Sequence, residues 1–121
     1  MTYNEIKSLL NNITDPADKL EMVMDIGREA KHLPPGVTGT VIPGCVSRVE
    51  IYRDKESVFY GFADSPLVRG IVAILFSMVD GKSAAEIKKI DLEGEFASLQ
   101  LQLGSKRLSG VASIIGFLKS L

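Results

Sequence analysis

One cysteine and one histidine are all the thiol and imidazole that 121 residues contain, and that scarcity excludes a good deal. Cys45 has no partner for an internal disulfide. Alone it cannot build a Cys-rich metal site, and an iron–sulfur cluster takes about four ligands. His32 has no second histidine with which to form a His-based metal site. Net charge is scarce too: 14 basic against 15 acidic residues leave −1, so no broad field exists to attract nucleic acid or an anionic membrane surface. The most apolar run, Ile71 to Val79, is far short of the roughly 20 residues that cross a bilayer. The start, Met1-Thr2-Tyr3-Asn4-Glu5, lacks the basic opening and apolar stretch of a signal peptide, so the expected location is cytoplasmic. There is no internal repeat, no low-complexity tract and no Ser/His/Asp arrangement. Asp80-Gly81-Lys82-Ser83 lacks the earlier glycine of a P-loop and reads as a helix stop followed by a cap.

What is present is ordinary for a folded domain. Apolar residues make up 45% and charged residues 24%, within the range of soluble globular proteins. The length suits one domain over residues 1–121 with one real core. Thr2 and Glu5 fit a capping box, and Tyr3, Ile6, Leu9, Leu10 and Ile13 recur at helical spacing up to about Asn11-Asn12. Asp15 and Pro16 open a second helix as cap and first residue. Its stripe is Leu20, Val23, Met24, Gly27 and Ala30, widened by Met22, Ile26 and Leu33. His32 is expected at the end of that helix, where it could meet the last carbonyls or, alternatively, serve as a catalytic base.

Leu33 to Gly44 is rich in proline and glycine and is expected to be a loop over the surface. Val46–Arg53 reads as a strand and Ser57–Phe62 as its partner, joined by Asp54-Lys55-Glu56 as a hairpin. Val49, Ile51, Val58 and Tyr60 are expected on one face, with Val37–Val41 as a third extended segment. Ser65 and Pro66 start the next helix. It is apolar almost all round from Leu67 to Val79, which places it at the centre of the core. Arg69 opposes the helix dipole in the first turn; Asp64 is its candidate partner, and a solvated arginine is the alternative. Ser83 and Glu86 form a second capping box, and Asp91 caps a further short helix with Phe96 and Leu99 facing inward. Leu99, Leu101 and Leu103 lie two apart, which fits either an extended piece or a fraying helix. The last helix begins at Gly104-Ser105-Lys106-Arg107, with Leu108, Val111, Ala112, Ile115 and Leu118 as its buried stripe and Ile114 and Phe117 beside it. The fold class is α+β, a small antiparallel sheet of two to three strands flanked by helices.

The distinctive chemistry lies at Ile42-Pro43-Gly44-Cys45-Val46-Ser47-Arg48-Val49. Pro-Gly marks a turn, so Cys45 stands where a thiol could be presented to a partner. The alternative is a small buried hydrophobe. As a nucleophile it needs nearby positive charge or backbone N–H donors, because an unperturbed thiol of pKa about 8.5 is only a few per cent thiolate at neutral pH. Arg48 lies three residues away and points to the other face of an ideal strand. Arg107, in the first turn of the last helix, is the better candidate.

Pro43-Gly44-Cys45-Val46-Ser47-Arg48-Val49 resembles the cysteine loop of the SufE family, the sulfur-acceptor proteins of iron–sulfur cluster assembly, whose pattern is Gly-Cys-x-Ser-x-Val. Gly61-Phe62-Ala63-Asp64-Ser65-Pro66-Leu67-Val68-Arg69-Gly70 resembles the family's Gly-Asp-Ser-Asp segment running into a basic residue and glycine, with Asp64 on the second aspartate. Ser105-Lys106-Arg107-Leu108-Ser109-Gly110 resembles its Ser-Arg segment before a glycine, with Arg107 on the arginine. Asp25-Ile26-Gly27-Arg28 is similar to the end of its second helix. Glu50 stands in place of the usual tryptophan, Phe62 and Ala63 in place of the first Asp-Ser, Gln102 in place of a common histidine, and Gly104-Ser105 in place of a hydroxyl-Pro start.

The resemblance implies a single SufE-like domain of SufE/IscU-like architecture. It implies that Cys45 accepts a persulfide sulfur from a cysteine desulfurase (SufS-like), stimulates that enzyme, and passes the sulfur to an iron–sulfur scaffold complex (SufBCD-like). Gly44, Ser47, Asp64, Arg69 and Arg107 become supporting or partner-contact residues. The chain itself then binds no cofactor, since pyridoxal phosphate belongs to the desulfurase. Three rivals stand beside this: a cysteine-dependent enzyme acting on a small thiol-reactive substrate with His32 as its base, a binding module with a structural Cys45, and a cluster scaffold, which the lone cysteine disfavours.

Overall fold

The computed structural model describes residues 1–121. The first two helices begin where their side chains satisfy free backbone donors. Helix α1 (Tyr3–Asn11) carries a complete capping box: Glu5 N donates to Thr2 Oγ1 at 3.2 Å, and Thr2 N donates to Glu5 Oε1 at 3.0 Å. Helix α2 (Pro16–Arg28) starts on Asp15, whose Oδ1 accepts from Ala17 N and Asp18 N, with Pro16 at the first position. It ends earlier than its apolar spacing suggests: Arg28 is the last helical residue, and His32 is exposed in the segment beyond. His32 therefore caps no helix.

Strands β1 (Thr40–Val41), β2 (Val49–Arg53) and β3 (Phe59–Ala63) form a three-stranded antiparallel sheet in the order β1-β2-β3. Strand β2 starts at Val49, three residues later than expected, because Pro43 to Arg48 are spent on the turn that carries Cys45. The hairpin register also differs from the expected one. Val49 pairs with Ala63, Ile51 with Gly61 and Arg53 with Phe59, so Phe59, Gly61 and Ala63 face the core. Tyr60 lies on the outer face against Tyr52, ring centroids 6.1 Å apart. The connection is also longer than expected, Asp54 to Val58, with Ser57 at φ 62 in the left-handed region. Two extra residues leave each side chain on its own face, because the side-chain period of a strand is two; Gly61 and Ala63 turn inward because they stand opposite the buried Ile51 and Val49.

Helix α3 (Pro66–Val79) runs through the centre, against α2 and β3 most extensively. The contact with α2 is close enough to require glycine on both sides: a Cβ on Gly27 would lie 2.6 Å from Gly70 N, and one on Gly70 would lie 2.0 Å from Val23 O. Gly81, at φ 75, ends the helix region, and its N–H donates to Ser57 O at 2.8 Å. Asp80 Oδ1 accepts from Phe59 N at 2.8 Å, so the end of α3 holds the hairpin.

Two short helices follow, α4 (Ala84–Lys88) under the Ser83/Glu86 capping box and α5 (Leu92–Ala97) capped by Asp91. Leu99 closes the last turn of α5 and Gln100 is left-handed at φ 54, so the alternating leucines fall on an irregular segment instead of a single extended piece, with Leu99 and Leu103 buried and Gln100 and Gln102 exposed. Lys19, buried against this segment, donates to Leu99 O at 2.9 Å. Helix α6 (Ser105–Lys119) closes the fold. It buries Gly110, Val111, Ile114, Ile115 and Leu118, while Leu108 and Ala112 of the expected stripe are exposed. The buried apolar side chains form one contiguous core cluster, to which every element but β1 contributes.

Candidate functional site

Cys45 sits at the tip of the turn between β1 and β2, and the turn lies against α6. Gly44 is at φ 84, where a side chain would be strained. A Cβ there would also meet Ser113 Oγ at 2.7 Å, so glycine is required by both conformation and space. On the α6 side, Gly110 presents bare backbone, and the Cys45 thiol donates to its carbonyl with Sγ···O 3.6 Å. Cys45 is partly buried, and that burial pushes its thiol pKa above the ordinary value. A hydrogen bond from S–H to a carbonyl also favours the neutral form. The thiol is therefore protonated and sheltered in this conformation.

It forms part of the wall of a half-open cavity of about 470 Å³. Val68 and Ile71 of α3, Leu103, and Val111 and Ile114 of α6 supply an apolar lining. Ser47, Ser65 and Ser105 add hydroxyls, and Lys106 and Arg107 add positive charge. The first turn of α6 has no side-chain cap, since its N-cap is Gly104, so its N–H groups and the positive end of its dipole are unneutralised beside the same cavity. These are the features that lower the cost of a sulfur anion. The thiol at rest bonds instead to the Gly110 carbonyl, in the second turn.

The sequence-derived residues divide accordingly. Cys45, Ser47 and Arg107 line one cavity, and Gly44 shapes the turn beside it. Asp64 acts at the base of the turn: its Oδ1 accepts from Arg48 N at 3.1 Å. The expected Asp64–Arg69 pair does not form. Arg69 donates to the Ala63 carbonyl at 3.0 Å, which places its charge at the end of β3, and it is absent from the cavity lining. Arg48 pairs with Glu50 at 3.2 Å, away from the thiol. His32 is also absent from the lining, so no imidazole stands beside Cys45. Lys106 and Ser113 are not among the residues expected at the site, and Gly110 is expected only as the glycine that ends the Ser-Arg segment. Lys106 stands beside Arg107 in the sequence, whereas a serine inside a helix carries no local signal.

No helix of the chain is long and apolar enough to cross a membrane. Comparison with known proteins agrees with the architecture. The solution structure of a hypothetical protein from Thermus thermophilus superposes with a TM-score of 0.72 over 99% of this chain and 94% of its own, at 16% identity, which establishes a shared fold. An uncharacterised SufE-like protein of Rhizobium meliloti (strain 1021) is 31% identical over 114 residues, 85% of this chain and 81% of its own. The cysteine desulfuration protein SufE of Wigglesworthia glossinidia brevipalpis is 29% identical over 110 residues, 84% and 76% of the two chains. The sulfur acceptor protein CsdE of Escherichia coli (strain K12) is 26% identical over 122 residues, 94% and 83% of the two. The family model described as SufE, Fe-S metabolism associated domain, matches residues 4–121, and by that near-complete match the chain belongs to the SufE family.

Proposed function

We propose that the protein is a sulfur carrier that takes the outer sulfur of a persulfide from a cysteine desulfurase onto Cys45 and delivers it to an iron–sulfur scaffold complex. The observation that carries this reading is the placement of the only thiol in the wall of a half-open cavity with a cationic edge, on an exposed turn. Family membership and the names of the relatives, a desulfuration protein and a sulfur acceptor, support the same reading.

The chemistry is sulfur-to-sulfur displacement. The Cys45 thiolate attacks the outer sulfur of the desulfurase persulfide. A new S–S bond forms at Cys45, the S–S bond on the desulfurase breaks, and the desulfurase thiolate leaves and takes up the proton that Cys45 lost. The products are a Cys45 persulfide and a free desulfurase thiol, with no net change of oxidation state. Clearing its persulfide frees the desulfurase for another turnover, which is how the carrier stimulates it. A scaffold thiol then attacks the outer sulfur of Cys45 and regenerates the Cys45 thiol. Pyridoxal phosphate does its work in the desulfurase and has no role on this chain. The setting is cytoplasmic, where thiols remain reduced.

In this reading the resting thiol, neutral and bonded to Gly110, becomes reactive when the turn brings it towards positive charge, whether Lys106 and Arg107 or groups of the desulfurase. Gly44 gives the turn its shape, Ser47 lines the sulfur's cavity, Asp64 anchors the turn's base, and Arg69 fixes the end of β3 that carries Asp64. A cysteine-dependent enzyme acting alone would need a base at the thiol, and His32 is not placed to supply one.

Intact-mass analysis after incubation with a cysteine desulfurase and cysteine, without reductant, tests the proposal. The wild type is expected to gain sulfur that maps to Cys45, and Cys45→Ser is expected to gain none while melting like the wild type. Sulfur acceptance by folded Cys45→Ser at the wild-type rate overturns it.

A further inference from the structure

Lys19 is the one charged residue that the fold buries, at 7% exposure. Its ammonium donates to the Leu99 carbonyl at 2.9 Å, and it takes part in none of the chain's ion pairs. An ammonium carries three N–H donors. One neutral acceptor therefore leaves two donors and the whole charge unmatched. A lysine is almost never buried this far without a counter-charge, because losing the hydration of its charge is costly. The carboxylates nearest in sequence do not supply one. Asp15 Oδ1 is engaged by Ala17 N and Asp18 N as the cap of α2, and the Asp18 side chain is exposed.

Lys19 lines an open depression of about 390 Å³ between the start of α2 and the segment that follows α5. Thr14, Pro16, Gln100, Leu101 and Gln102 complete the lining. Thr14, Gln100 and Gln102 are exposed and bring a hydroxyl and two side-chain amides, and the lining contains no Asp or Glu. Gln100, at φ 54, turns the chain out of α5. Beyond it, the N–H groups of Leu101 and Gln102 enter no backbone–backbone hydrogen bond. A buried cation among neutral donors, with no acid present, is the complement of an oxyanion, which accepts charge-assisted hydrogen bonds from all of them.

We infer that this depression is a second binding site and that it takes a small oxyanion, the carboxylate or phosphate group of a soluble ligand, against Lys19. It shares no lining residue with the Cys45 cavity, yet the two are neighbours along the chain: Gln102 lines one and Leu103 the other. A bound anion supplies the missing counter-charge and ties the start of α2 to the segment that runs on into the wall of the Cys45 cavity. The inference does not depend on the reading of Cys45 as a sulfur acceptor.

Amide chemical-shift mapping tests it, with sodium phosphate and sodium acetate titrated separately against sodium chloride at matched ionic strength and pH. Phosphate, acetate or both are expected to move the Leu101 and Gln102 amide signals saturably, with a Kd in the millimolar range, and chloride to leave them in place. Tighter binding of phosphate identifies a phosphorylated ligand, and tighter binding of acetate a carboxylate. Lys19→Met keeps the apolar stem and is expected to weaken binding at least about tenfold. Because that variant also strips the Leu99 carbonyl of its partner, Gln102→Glu tests the same point with Lys19 intact. The new carboxylate competes for the ammonium and is expected to weaken anion binding at least about tenfold. A lysine that only caps the end of α5 predicts a lower melting temperature for Lys19→Met and no anion-dependent shift in the wild type. Absence of saturable shifts at Leu101 and Gln102 with both anions overturns the inference, as does an unchanged Kd in folded Gln102→Glu.

Discussion

The residues around Cys45 hold two opposed environments within one cavity. The Gly110 carbonyl and the surrounding burial favour the neutral thiol, whereas Lys106, Arg107 and the uncapped start of α6 favour an anion. A carrier benefits from both: a neutral, sheltered sulfur survives between partners, and an ionised one reacts. Arg107 separates the two states experimentally because it lines the cavity and is exposed, yet the resting thiol bonds elsewhere. Arg107→Ala is expected to slow sulfur acceptance from the desulfurase by about tenfold, since charges at an encounter surface act on association and orientation. Alkylation of Cys45 by a small neutral reagent is expected to change by less than about twofold, because reaction with such a reagent needs no docking. Equal losses in both assays would assign Arg107 to the fold of the site instead.

At the scale of elements, the crossing of α2 and α3 decides where the cavity is. Helix α3 contributes Val68 and Ile71 to the lining, and its height is set by Gly27 and Gly70 at the crossing. A methyl group on Gly70 would fall 2.0 Å from the Val23 carbonyl, which is backbone and cannot turn aside. Gly70→Ala is therefore expected to lower stability by at least about 2 kcal/mol, the cost of overpacking a tight core. Denaturant unfolding followed by circular dichroism measures it, and an unchanged midpoint would show that the helices separate without cost. The hairpin is held to the end of α3: Gly81 N donates to Ser57 O and Phe59 N donates to Asp80 Oδ1, both at 2.8 Å.

Over the whole molecule, charge is distributed as local pairs and caps, and this sets the pH range of stability. Glu5 and Glu86 are lowered below the usual carboxylate range by the backbone N–H groups they accept from Thr2 and Ser83. Asp54 is lowered by Val58 N, Glu93 by Lys119, and Glu95 by Tyr3. Groups lowered on folding contribute stability that is present above their unfolded values and is lost as pH falls through the folded ones. Cys45 and Tyr3 are shifted the other way, Tyr3 to about 12 by burial first and then its hydrogen bond to Glu95. Their contribution is complete below their unfolded values and lost as pH rises through the folded ones. The urea midpoint is thus expected to be level near neutrality and to fall below about pH 4 and again above about pH 9. A midpoint that holds steady down to pH about 2 would show that these carboxylates have the same affinity for protons in the unfolded chain.

Features that act within a few residues were legible in the sequence. Thr2, Asp15, Ser65, Ser83 and Asp91 all cap the helices they were expected to cap, because a cap joins a side chain to a backbone donor two or three positions on. The all-round apolar character of α3 similarly placed it at the centre. The Pro-Gly-Cys turn and the order of the motifs around it identified Cys45, Ser47 and Arg107, which do share a cavity. Contacts across the fold were decided by the tertiary structure. Asp64 meets the backbone of Arg48 instead of the Arg69 side chain. The inner face of β3 follows from its pairing with β2, which sets Gly61 and Ala63 opposite the buried Ile51 and Val49, and Leu108 is exposed because α6 docks through its later turns. The Ser-Arg segment ends on Gly110 in the sequence, but only the folding of the turn onto α6 makes the Gly110 carbonyl the acceptor of the Cys45 thiol. Local hydrogen bonds and periodicity are written into neighbouring residues; the seat of a thiol depends on how distant elements pack, and only the folded chain brings them together.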